Sequence, residues 1–202
     1  MTFFDYFQIF TVFVIVCVIA TKAIYLRVTT GINPIVIGRG QGPWRIVEIL
    51  SLGCVLLWIV EVVTHALHSP YDLFPDELNL AFVSPQSVQI AGLVLASLGL
   101  ITFVLAFLSF GNSWRIGIDR QSPGTLITGG IFGVTRNPIY VAFNLYFIGI
   151  FLINGTWFFL IFALMAALAV HLQILREEEF LRKQYGEDFE YYCRRTARYL
   201  IW

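Results

Sequence analysis

Apolar runs long enough to cross a lipid bilayer constrain this chain more than any other feature of its sequence. A helix rising about 1.5 Å per residue needs roughly 20 residues to cross a hydrocarbon core about 30 Å thick. Phe3 to Leu26, Ile46 to Leu67 and Val88 to Phe110 each predict one span, separated by loops that carry Gly, Pro or charge. The stretch from Pro138 to Leu175 is too long for one crossing, and Asn154-Gly155 breaks it with a dipeptide suited to a tight turn. That pattern predicts a helical hairpin whose first arm, Pro138 to Ile153, is only about 24 Å long and barely spans. The expected architecture is all-α: a polytopic membrane protein of five transmembrane helices, the last two a hairpin, followed by a cytoplasmic C-terminal segment. Residues 1–110 are expected to hold three N-terminal spans and residues 111–202 a catalytic region. The first run exceeds a signal-peptide core and no small-residue cleavage pattern follows it, so it reads as a retained anchor.

With 58% hydrophobic and 13% charged residues, the composition lies outside that of a soluble domain. A net charge of zero leaves no bulk basic field, so nucleic acid is not an expected partner. Cys17 and Cys54 sit in apolar runs and Cys193 in the polar tail. None falls at a metal-ligand spacing, so neither a metal centre nor a disulfide framework is expected.

Basic residues near membrane ends stay in the cytoplasm. Lys22, Arg27, Arg39 and Arg45 flank the first connection, Arg115, Arg120 and Arg136 lie in the third, and the remaining six of the 13 follow the last apolar run. The second connection holds Asp72, Asp76 and Glu77 without Lys or Arg, and the Asn154-Gly155 turn is uncharged. An outside N-terminus and a cytoplasmic C-terminus follow, which requires an odd number of crossings and agrees with five.

This topology brings residues 111–137 and 176–202 to the same membrane side, at the two ends of one hairpin. The first segment holds Ser113-Trp114-Arg115-Ile116-Gly117-Ile118-Asp119, then Gly129-Gly130-Ile131-Phe132-Gly133, then Thr135-Arg136-Asn137-Pro138-Ile139-Tyr140. Gly130 and its neighbours permit close backbone approach to a ligand, and they equally suit a flexible loop. A dinucleotide fingerprint is absent, because Gly-Gly-x-x-Gly follows no strand of a βαβ unit. Pro138 suits a first helical position, which sets Arg136 and Asn137 at the mouth of a helix. His171 and Glu178, seven apart, share a helical face if the last helix continues past the membrane edge. Glu177 to Glu179 with Arg182 and Lys183 fit either a ligand site or a solvated face of i,i+4 pairs.

These residues resemble the isoprenylcysteine carboxyl methyltransferase family and its relatives among phospholipid N-methyltransferases, in a bacterial-type branch. Arg136-Asn137-Pro138-Ile139-Tyr140 occupies the place of the family's Arg-His-Pro-x-Tyr, with Asn137 replacing the histidine. Glu177, Glu178, Leu181, Tyr185, Gly186, Phe189 and Tyr192 fill the family's C-terminal motif at close to its spacing, and Arg198 stands where a late arginine is usual. Asparagine donates and accepts hydrogen bonds but cannot become cationic, so a charge role of that histidine is lost.

The resemblance implies a membrane methyltransferase that uses S-adenosylmethionine, with Arg136, Asn137, Glu178 and Arg198 as the catalytic set. It implies further that His171, Glu177, Glu178 and Tyr140 line the cofactor pocket, and Gly130 and Tyr192 are counted with them. Arg136 and Arg198 would hold a carboxylate of cofactor or acceptor. The acceptor would be a lipophilic or lipid-linked molecule, drawn from among membrane lipids at a bacterial inner membrane. Methyl transfer from a sulfonium is an in-line displacement in which alignment supplies much of the acceleration. Two other classes share the topology: a non-catalytic membrane assembly protein, and an NADPH-dependent reductase related to the sterol reductases. Glu61, His65 and His68 at i, i+4 and i+7 predict one shared face of the second helix, a spacing that permits a metal or proton role but is read chiefly as contact with interfacial water or local pairing near the outer end. Trp44, Trp114, Trp157 and Trp202 fall near predicted boundaries as interfacial anchors.

Overall fold

The structure, a computed structural model, describes residues 1–31, 33, 43–70, 73–111 and 125–200, with the backbone alone of Pro43 and Trp44. The expectations placed on Arg39, Asp72, Ser113 to Asp119, Arg120 and Trp202, and on the Trp44 side chain, lie outside the described residues. Among those described, the regular structure is helical: α1 Phe3–Thr30, α2 Pro43–Ala66, α3 Asp76–Asn79, α4 Gln86–Ser109, α5 Pro138–Asn154, α6 Trp157–Tyr185 and α7 Glu187–Arg195. α1, α2, α4 and α6 are long and apolar enough to cross a membrane, and α5 is a shorter apolar helix of 17 residues. Large side chains such as Phe10, Leu50, Leu164 and Leu168 stand exposed along these helices. Lipid is the solvent that accepts such a surface.

The chain divides into two compact units. The first centres on Met1–Pro75. α1 opens with a capping box in which the Thr2 hydroxyl accepts from the Asp5 amide while the Asp5 carboxylate accepts from the Thr2 amide. α2 ends at Ala66, two residues before His68, which takes a left-handed backbone (φ 50°). The His68 Nε2 then lies 3.1 Å from the Asp5 carboxylate. The single face expected for Glu61, His65 and His68 is therefore corrected. The left-handed backbone takes His68 off the helix and toward the Asp5 carboxylate of α1, and Glu61 and His65 alone remain on α2.

The second unit centres on Asp76–Gly111 with Thr125 onward. α4 and α5 pack antiparallel with backbones in near contact. A Cβ on Gly149 would fall 2.5 Å from the Ala96 nitrogen, and one on Gly92 would fall 2.6 Å from the Gly149 oxygen. Small residues earn this proximity in lipid, where close packing replaces hydrophobic exclusion as the force between helices. The hairpin turn forms at Asn154-Gly155 as expected. Gly155 adopts φ 66° and sits so close to Val83 that no side chain would fit, while its carbonyl accepts from the Phe82 amide at 2.9 Å. α6 is apolar up to Leu175 and then continues as a polar helix to Tyr185, outside its membrane-spanning part. This continuation is what the shared face of His171 and Glu178 requires. Gly186 separates α6 from α7, and the chain after α7 runs extended through Thr196.

Candidate functional site

The mouth of α5 is built by local rules. Pro138 occupies the first helical turn, where its missing amide hydrogen is no loss, and Asn137 precedes it in a non-helical conformation. The Asn137 side chain is thereby free of helix capping and turns to α6. Thr135 fixes the approach: its hydroxyl accepts from the Asn137 amide at 3.2 Å and donates to the Arg198 carbonyl at 3.0 Å.

Glu178 is the centre of the arrangement, at 3% exposure. Arg136 donates to its Oε1 from Nε at 3.2 Å and from Nη2 at 3.1 Å. Asn137 Nδ2 donates to the same oxygen at 3.3 Å. Arg198 reaches Oε2 from Nη2 at 2.8 Å and from Nε at 3.1 Å. One buried carboxylate thus carries two guanidinium groups and an amide, the forked geometry in which charge-assisted bonds are strongest. Burial by itself pushes the Glu178 carboxyl up, but the Arg198 hydrogen bond and the charges of Arg136 and Arg198 outweigh it and hold the carboxyl below its ordinary value. Arg136 also binds the chain end: its Nη1 donates to the Cys193 carbonyl at 3.2 Å and to the Thr196 carbonyl, and its amide donates to the Ala197 carbonyl at 2.9 Å. Residues 135–137, the polar end of α6 and the tail after α7 are therefore one assembly, and all four residues of the expected catalytic set are in it.

Glu178 apart, the expected cofactor residues fall in three places. In the first, the Tyr140 hydroxyl donates to Glu177, which also accepts from Gln173 Nε2 at 3.0 Å. Burial pushes the Glu177 carboxyl up, and the bonds from Tyr140 and Gln173 offset that only in part. His171, nearer the start of α6 and on a different face from Glu177, places Nδ1 2.6 Å from the Tyr199 hydroxyl. In the third, Tyr192 spends its hydroxyl on the Phe132 carbonyl at 2.6 Å, and Gly130 (φ 61°) packs against Ser109 at the end of α4. Tyr192 lines a cavity of about 460 Å³ with Leu126, Thr128, Gly133, Asp188 and Arg195 among its walls. Tyr140, His171 and Glu177 do not line it.

The acidic triplet also divides. Glu177 and Glu178 turn into the assembly, while Glu179 pairs with Lys183 at 2.5 Å on the solvated face. Arg182 joins Glu190 of α7 instead. The solvated-face reading thus fits Glu179 and not its two neighbours. Sequence reasoning did not single out Tyr199, Gln173 or Thr135. Tyr199 directly follows Arg198 in an aromatic tail, and nothing in its spacing marks it as a partner of His171. Among the described residues no group of three or more His, Cys, Asp or Glu is arranged to hold a metal ion.

The sequence signature described as phospholipid methyltransferase matches residues 88–188, half of the chain. The match begins in α4, covers the α5–α6 hairpin and ends in α7. Comparison with curated proteins yields no match.

Proposed function

The chain belongs to the phospholipid methyltransferase family, and from that premise we propose that it is an integral membrane enzyme transferring a methyl group from S-adenosylmethionine to a lipophilic acceptor. The observation that carries this reading is the Glu178 cluster, which ties Arg136, Asn137 and Arg198 together at the end of the hairpin. Because Glu178 is committed to these three partners, it serves as the clamp that assembles the site. The groups left to face a ligand are Glu177, Tyr140 and His171.

The donor set fits a cationic sulfonium compound. Glu177 supplies a carboxylate beside an aromatic ring, and Tyr140 offers a face for a cation–π contact. When bound, S-adenosylmethionine would supply a methyl group on a positively charged sulfur. The chain's own work is to orient the reactants and to exclude water, and alignment supplies much of the acceleration of a displacement. Arg136 keeps Glu178 and the tail in place, Asn137 holds the tail carbonyl without carrying charge, and the Tyr140–Glu177 pair would face the bound ligand. Tyr192 ties α7 to the turn at 130–133 through the Phe132 carbonyl, and Gly130 seats that turn against Ser109, so both support the loop entering α5.

We place five crossings in the membrane, with α5 as the short one, the N-terminus outside and the C-terminus cytoplasmic in a bacterial inner membrane. Residues 111–202 are the catalytic region. The acceptor is an isoprenylcysteine-like carboxylate, a thiol or a phospholipid amine, reached between the helices. Calorimetry on purified protein tests the reading: S-adenosylmethionine binds the wild type, and Glu177→Gln weakens it about tenfold, the loss of one charge-assisted contact. Absence of binding to wild-type protein, or a shift in melting with NADPH in its place, overturns it.

A further inference from the structure

The extended segment after α7 does more than close the Glu178 cluster. Its path is fixed at four points: the Arg136 amide on the Ala197 carbonyl at 2.9 Å, the Thr135 hydroxyl and Asn137 amide on the Arg198 carbonyl at 3.0 and 3.1 Å, and the Arg198 guanidinium on Glu178. The next residue along this strap is Tyr199. Its ring lies nearly parallel to that of His171 (21°, centroids 6.2 Å apart), with the hydroxyl 2.6 Å from Nδ1.

We propose that Tyr199 is a positioning residue that locks His171 in the tautomer carrying its proton on Nε2, making His171 a hydrogen-bond donor toward an anionic oxygen of the bound ligand and not a base. A neutral imidazole has one nitrogen that donates and one that accepts, and the partner of the first decides the state of the second. Among the described residues the Tyr199 hydroxyl has Nδ1 as its one hydrogen-bond partner. If Nδ1 donated to the phenol, the phenolic hydrogen would lose this acceptor. With the phenol donating, both groups are satisfied. Burial pushes the Tyr199 hydroxyl up, and the negative charge of Glu178 acts in the same sense against the opposing Arg198, so the phenol keeps its proton. Nε2 makes no hydrogen bond among the described residues and is available to a ligand.

The inference rests on the reading of this site as the place where S-adenosylmethionine binds, since that ligand carries a carboxylate. A lipid phosphate offers the same chemistry. The two sources separate by comparing S-adenosylhomocysteine with methylthioadenosine, which lacks the carboxylate.

The test is the nitrogen NMR spectrum of full-length protein, labelled at histidine and held in lipid nanodiscs, with His171→Gln identifying the His171 signals by their loss. The wild type shows the pattern of a proton on Nε2, and Tyr199→Phe converts it to a mixture of tautomers. For binding, His171→Gln keeps a donor near Nε2 and stays within a few-fold of wild type for S-adenosylhomocysteine, while His171→Ala loses about tenfold. Methylthioadenosine binding is equal in all three if the oxygen is the cofactor's carboxylate. If His171→Ala instead weakens binding of phosphatidylglycerol vesicles and leaves S-adenosylhomocysteine unaffected, the donor acts on lipid phosphate. A wild-type signal with the proton on Nδ1, or a spectrum unchanged by Tyr199→Phe, overturns the proposal. A fixed Nε2–H tautomer in protein that binds no S-adenosylhomocysteine would overturn the cofactor reading and leave the tautomer assignment standing.

Discussion

Replacing Glu178 by Gln removes one charge and almost no volume, so its consequence isolates the electrostatics of the cluster. The Glu178 side chain is 4% exposed and that of Arg136 10%, so this pair is buried, whereas Arg198 at 37% is screened by water. Leaving a buried guanidinium without its counter-charge costs about 3 to 5 kcal/mol. The lower end applies here, because Gln keeps one oxygen for Arg136 and Asn137. The more exposed Arg198 adds less than about 1 kcal/mol, although the new amide group turns a donor toward its Nη2. A loss of roughly 3 to 4 kcal/mol corresponds to an apparent melting shift of about 10 °C for a chain of this length. Tryptophan fluorescence during a thermal ramp in one lipid nanodisc preparation, at one scan rate, reads that shift. Glu179→Gln is the internal control. Its side chain is 64% exposed and its pair with Lys183 is a solvated i,i+4 contact, so it stays within about 0.5 kcal/mol of wild type. Equal melting temperatures for the two variants would refute the assignment of Glu178 as the clamp.

Burial pushes the Cys193 thiol up, against the opposing charge of Arg136 and with the help of Glu178 and Glu190. The thiolate is the reactive form, so maleimide labelling of Cys193, in protein lacking Cys17 and Cys54, rises only above the ordinary thiol pH range and starts at lower pH once Glu178→Gln removes one of the charges that suppress it. Gly149→Val forces a side chain into the Ala96 backbone and lowers stability by about 1 to 3 kcal/mol, while Gly53→Ala, with open space around its Cβ, leaves the melting temperature unchanged or slightly higher. Alkaline phosphatase inserted at Asn154-Gly155 is active and green fluorescent protein at the C-terminus is bright, whereas the reverse pattern overturns the assigned orientation.

The local features of the chain were legible before any coordinates. Helix lengths, the Asn154-Gly155 turn and Pro138 at a helix start depend on residues within one or two turns of one another, and the structure has α5 beginning and ending within a residue of the expected arm. The expectation for His68 failed for the complementary reason. The helix ends at Ala66, before His68, and the Asp5 carboxylate that His68 meets stands 63 residues away in sequence.

Apolar length and charge placement are enough to make this chain helical and membrane-bound, because transfer of each apolar helix into lipid is favourable whatever its neighbours are. Which of three consecutive glutamates becomes the buried clamp, and that Tyr199 meets His171, depends on partners 20 to 42 residues away for Glu178 and 28 away for His171. Those pairings arise only when α5, α6 and the tail close on one another, since a buried charge is tolerated where its counter-charges are already held and nowhere else.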